Sequence, residues 1–218
     1  MKQLLMTLLL ALALALGACS GASSSLPPSS QEPPASSQPA EEEPASQEEA
    51  PPEGPVIQEI VPVEGSSQNP SSCGVPIYIG TDGDFAVYRG SATSQPSPED
   101  LIQAIAQLTG WNLTLAQPVE VVEDGYALVF TDDCSLVAGP PDPQKEEFHM
   151  FDSVQMVETA LDSIRQTLRA QSAADGFSDP DQVQIYVSLE GGREVSLPEA
   201  GIRVPADQPY DGVVPLSE

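Results

Sequence analysis

Apolar and polar positions recur with clear periods along the last two-thirds of this chain, and the first third shows none. Val75-Pro76-Ile77-Tyr78-Ile79 and Phe85-Ala86-Val87-Tyr88-Arg89 are β-rich runs flanking Thr81-Asp82-Gly83-Asp84, a solvated hairpin turn. Pro76 cannot donate to a ladder, so an edge strand or a first strand position is expected for it, and an edge there is a site for pairing with a neighbouring chain. Ser97-Pro98-Glu99-Asp100 opens a helix by several rules together. Ser97 caps, Pro98 suits the first helical position, and two acids face the positive end of the dipole. Leu101, Ile102, Ile105 and Leu108 then share one face, Gly110 ends the helix, and Trp111 follows as core packing.

Val119-Glu120-Val121-Val122, Asp124-Gly125 and Tyr126-Ala127-Leu128-Val129-Phe130 predict the clearest hairpin of the chain. Residues 131–151 form a long acidic, proline-containing loop that holds Cys134 and ends in Phe148-His149-Met150-Phe151. Asp152 or Ser153 caps a second helix, in which Val154, Val157, Leu161, Ile164 and Leu168 repeat at 3-4 spacing. Glu158, Asp162, Arg165 and Arg169 are assigned to its solvated outer face. Val183-Gln184-Ile185-Tyr186-Val187-Ser188-Leu189 alternates strictly, as a strand does. Glu190-Gly191-Gly192-Arg193 is expected to turn it into a final hairpin with Glu194-Val195-Ser196-Leu197. The tail, with Ile202, Val204 and Tyr210 among prolines, is expected to cross the domain without regular structure. The order β-β-α-β-β-α-β-β predicts an α+β fold: a single small domain with two helices packed on a mixed, mostly antiparallel sheet, preceded by a disordered linker.

That linker is compositional. Residues 20–72 are rich in Pro, Ser, Glu, Gln and Ala, with no Lys, Arg or aromatic residue. Such a segment buries too little apolar surface to offset chain entropy, and its prolines and glutamates extend it. An apolar patch at 56–61 is closed off by Pro55 and Pro62 and is assigned to the linker. Ahead of it, Lys2 and an apolar run over residues 4–16 make a secretory signal peptide, too short for a membrane span of about 20 residues. Its end, Leu16-Gly17-Ala18-Cys19, resembles a bacterial lipobox, which makes Cys19 the lipidated first residue of the mature protein. The expected organisation is a lipoprotein signal peptide at 1–18, a tether at 19–72, a folded domain at 73–212 and a tail at 213–218.

Charge narrows the choice of partners. Thirty-three acidic residues against seven Lys and Arg give a formal net charge of −26. Such a surface repels phosphate backbones, which excludes nucleic acid, and it repels anionic headgroups too. Membrane attachment is therefore expected through acyl chains such as palmitate on Cys19, at about 0.8 kcal/mol per buried methylene. Cys73 and Cys134 are an even pair in an exported chain, and a disulfide between them is expected.

Candidate chemistry is sparse. His149 is the one histidine, which leaves nothing for a His-based metal site or proton relay. The acidic turn at 81–84 lacks the longer ligand series of a calcium loop. Asp132-Asp133 is the kind of carboxylate pair a glycoside hydrolase uses, but adjacent acids are common in so acidic a chain. No nucleophile elbow occurs. No catalytic residue, metal site or cofactor is expected, and the chain is not expected to be an enzyme.

Residues 75–210 resemble the sporulation and spore-germination domain called GerMN. Ile77-Tyr78-Ile79 with Leu101-Ile102-Gln103-Ala104-Ile105 leading to Gly110 carry part of the likeness, and the hairpin at 119–130 carries more. The most specific part is Ala160-Leu161-Asp162-Ser163-Ile164-Arg165-Gln166-Thr167-Leu168 followed, after a break, by the strand at 183–189 and Gly191-Gly192. The resemblance implies a non-catalytic envelope module, often on lipoproteins of spore formers. The chain departs from the family in having a single copy, a long acidic loop and a cysteine pair, which puts a specifically sporulation role in doubt. The expected function is a membrane-anchored, extracytoplasmic lipoprotein whose module binds or assembles with envelope proteins or peptidoglycan. A solute-binding lipoprotein and a peptidoglycan-acting hydrolase are the alternatives.

Overall fold

A computed structural model of the chain describes residues 56–63 and 74–216. The expected signal peptide, Cys19, Cys73 and most of the tether lie outside these residues. The described residues are α+β, with three α-helices and three small sheets.

The first sheet contains β1 (Ile57–Pro62), β2 (Gly74–Thr81) and β3 (Asp84–Ala92) in the order β1-β3-β2, all antiparallel. Its hairpin turns where expected: Thr81 faces Asp84, and Asp82 and Gly83 both take positive φ (51° and 82°), which matches the twist of the flanking strands. β1 corrects the assignment of residues 56–61 to the linker. Pro62 ends a strand at the sheet edge, where a missing N–H costs no ladder bond, and a bulge lies between Gln58 and Val61. Ile57 is buried against Gly90, where a Cβ would come within 2.4 Å of its Cγ2.

The second sheet joins β4 (Glu120–Val122), β5 (Gly125–Phe130) and β6 (Gln184–Leu189) in that order. β4 and β5 form the expected hairpin, and β5 runs parallel to β6 because a long crossover separates them in sequence. The glycine of Asp124-Gly125 is already in the ladder, facing Val122 on one side and Gln184 on the other. A Cβ there would lie 1.9 Å from the Gln184 carbonyl oxygen, so close strand approach requires this glycine.

The third sheet, β7 (Val195–Leu197), β8 (Ile202–Val204) and β9 (Val214–Pro215), overturns two expectations. The turn at 190–193 closes only one bridge, Leu189 to Arg193, and β7 pairs with β8 instead of folding back on β6. The tail is therefore structured. Tyr210 is buried, and its N–H donates to the Ile185 carbonyl at 2.8 Å, so its backbone does not go unpaired.

α1 (Pro98–Thr109), α2 (Ser135–Ala138) and α3 (Ser153–Gln171) complete the fold. The single turn of α2 inside the long loop is additional to the two expected helices. Val157, Leu161, Ile164 and Leu168 of α3 join one core with Tyr126, Leu128, Phe130, Ile185 and Val187. Asp162, assigned by spacing to the solvated face, is only 5% exposed, and Thr159, Ser163 and Thr167 are buried with it. β2 covers that side of the helix. Tyr78 N–H donates to Thr167 Oγ1 at 3.0 Å and Gly80 N–H to Ser163 Oγ at 3.1 Å. Thr81 Oγ1 donates to Asp162 at 2.6 Å. Helix side chains thus occupy the outer edge of β2, which removes that strand as a pairing site for a neighbouring chain.

Candidate functional site

α1 is fixed at both ends by its own sequence. Ser97 N–H donates to the Asp100 carboxylate at 2.8 Å, and Asp100 N–H donates to Ser97 Oγ at 3.2 Å, a reciprocal capping box. At the other end Gly110 takes φ 85° and returns its N–H to the Ala106 carbonyl. The chain then doubles back. Trp111 and Leu113 are 2% and 4% exposed and anchor residues 111–118 to the core. Ala116 N–H donates to Val129 O at 2.7 Å, and Thr131 N–H donates to Thr114 O at 3.0 Å, so this segment lies antiparallel against the C-terminal half of β5. Asn112 locks its start. Its Nδ2 donates to Asp133 O at 3.0 Å, and its Oδ1 accepts from Thr114 Oγ1 at 2.7 Å.

An open groove of about 790 Å³ lies between α1 and residues 111–118. Ala106, Leu115, Ala116 and Pro118 supply its accessible apolar surface over buried Ile102, Trp111 and Leu113, and Gln103 and Gln117 supply amides. Glu99 contributes the one carboxylate, and Oε1 accepts from Val119 N–H at 2.6 Å. Among the described residues, no Lys or Arg lines the groove. An apolar floor with a few placed polar groups suits binding.

The most connected polar cluster lies elsewhere and is committed to the fold. Asp162 accepts from Thr81 Oγ1, from Asp82 N–H at 3.2 Å and from the Arg165 guanidinium at 2.7 Å. That guanidinium also lies 5.1 Å from the centre of the Tyr210 ring and donates to the Tyr210 carbonyl at 3.2 Å. Burial, followed by the charge of Asp162, pushes the Tyr210 hydroxyl above its ordinary pKa. Glu158 is also raised, first by burial and then by Asp82, Asp162 and Asp152. Tyr88 donates to Glu147 at 2.6 Å, and burial reinforced by that carboxylate pushes its pKa up to about 12.

The residues singled out by sequence do not converge. Cys19 and Cys73 lie outside the described residues, so neither the lipidation nor the partner half of the expected disulfide has a described position. Cys134 is fully buried with a free thiol, and burial raises its pKa, which suits packing and not nucleophilic chemistry. Asp132 pairs with Arg193, while Asp133 accepts from Thr131 Oγ1 at 2.6 Å. Both members of that carboxylate pair are thus exposed turn residues. His149 is exposed beside Phe151, with ring centres 5.0 Å apart. Among the described residues, no group of three or more His, Cys, Asp or Glu side chains is placed to hold a metal ion, and no helix is long and apolar enough to cross a membrane.

Sequence reasoning missed the groove. Its signal is the alternation of Trp111, Leu113 and Leu115 before Pro118, a short period-2 run placed directly after a helix stop. In comparisons with known proteins, the chain matches no family model, no curated protein and no solved structure.

Proposed function

We propose that this chain is a lipid-anchored, extracytoplasmic binding module. Acyl chains on Cys19 hold it to the membrane, the acidic proline-rich segment spaces the domain from the surface, and the groove beside α1 is its contact site. The groove carries the binding half of this reading, since it combines apolar surface, one carboxylate and exposed amides on a rigid helix and a core-anchored segment. The lipobox-like Leu16-Gly17-Ala18-Cys19 supports the anchor. The GerMN resemblance favours assembly with envelope proteins or peptidoglycan, in sporulation or germination, over catalysis. A photo-cross-linking side chain placed at Gln103 or Gln117 in intact cells should capture a discrete envelope component. The same group at Glu199, which does not line the groove, should not. Equal capture from Glu199, or capture from neither groove position, would overturn the assignment of the groove.

A second reading, a solute-binding lipoprotein, draws on the groove's volume, which lies in the range of small-molecule sites. It predicts a rise in melting temperature with a small solute or wall fragment, abolished by Ala106→Trp.

A further inference from the structure

Residues 113–115, extended and bridged to Phe130 at Leu115, present a short unpaired edge to the groove. In an antiparallel pair, successive residues direct their backbone groups to opposite sides. Thr114 O and Ala116 N–H are bonded to β5. The N–H and C=O of Leu115, and of Leu113 before it, therefore face away from β5, and the chain bends at Ala116 and Gln117. These groups make no hydrogen bond to any described residue. α1 forms the facing wall, where Ala106 presents a methyl group and leaves open space. A slot between an open strand edge and a helix is the geometry in which proteins capture an extended peptide by adding it as a strand.

We propose that the groove binds an extended segment of a partner protein, which pairs with the 113–115 edge and carries Lys or Arg where it passes Glu99. Charge selects this occupant. Glu99 is the groove's carboxylate, no described lining residue is cationic, and the whole chain carries a formal charge of −26. The chain's own residues 20–72 have no Lys or Arg and many prolines, which disfavours them as the added strand. The proposal rests on the binding reading of the groove and specifies what enters it.

The test uses the full-length chain carrying Cys19→Ser and two capped hexapeptide probes, one alternating lysine with valine and one alternating glutamate with valine. The lysine peptide should bind with a Kd about 10-fold or more below that of the glutamate peptide, a gap of about 1.4 kcal/mol. It should slow amide hydrogen exchange at Leu113 and Leu115 and change the fluorescence of Trp111. Ala106→Trp, which fills the slot, should abolish binding. Should that variant fail to fold, Gln103→Arg at an exposed helix position should weaken the lysine peptide and improve the glutamate one. Glu99→Gln keeps an acceptor for Val119 and should narrow the difference between the peptides. Equal binding of both peptides, unchanged exchange at Leu113 and Leu115, or full binding by a folded Ala106→Trp would overturn the proposal. Failure of both peptides while Gln103 and Gln117 still capture an envelope component would remove the strand mechanism and leave the groove's role intact.

Discussion

By spacing alone Asp162 belongs with Arg165 and Arg169 on the wet face of its helix, yet it is 5% exposed and accepts hydrogen bonds from Thr81, Asp82 and Arg165. A buried carboxylate so engaged is expensive to remove, because its donors lose their partner and the guanidinium its counter-charge. Asp162→Ala should therefore cost about 3 kcal/mol in denaturant unfolding. A loss below about 0.5 kcal/mol, the size of an ordinary surface substitution, would contradict the network. Glu158 next to it runs the other way. Its pKa is raised in the folded protein, so the folded state holds its proton more tightly than the unfolded chain does. Stability contributed through Glu158 thus falls as pH rises through and above the ordinary glutamate range. Glu158→Gln should raise the melting temperature at pH 7 by an amount on the order of 1 °C, with the gain vanishing well below that range. A gain that persists unchanged at low pH would rule out charge as the cause.

At the scale of elements, what could be foreseen depended on how local its cause was. Ser97, Pro98 and Gly110 define α1 from within one stretch, and the alternation of Val183 to Leu189 is echoed by buried Ile185, Val187 and Leu189. The covering of β2 by α3 joins residues 83 to 89 positions apart, and a helical Ser or Thr gives no sign of a distant strand partner. β1 was hidden for a related reason: prolines that would break a central strand are tolerated at an edge. The groove needed the same long-range knowledge, since Leu115 becomes an edge only because β5 lies on its other side. Ser163→Ala and Thr167→Val should each cost about 1–2 kcal/mol, because each leaves a β2 amide without its acceptor. Amide hydrogen exchange should quicken at Gly80 and Tyr78 respectively. Unchanged exchange there would mean that the helix does not seal that edge.

For the whole molecule, we propose that an acidic α+β domain with an open groove is joined through the proline-rich segment to a lipid anchor on Cys19. The proposed anchor gives the segment at 20–72 a held end, and a net charge of −26 repels anionic lipid. Everything proposed for the groove concerns a partner that meets this domain at a membrane surface, so the anchor is the claim to test first. The measurement is the intact mass of the chain after expression in a bacterial host, compared with Cys19→Ser, alongside membrane fractionation. The account predicts loss of residues 1–18, a lipid-sized increment on Cys19 and membrane association, with the increment and the association both absent from the variant. A soluble wild-type product without the increment would contradict it.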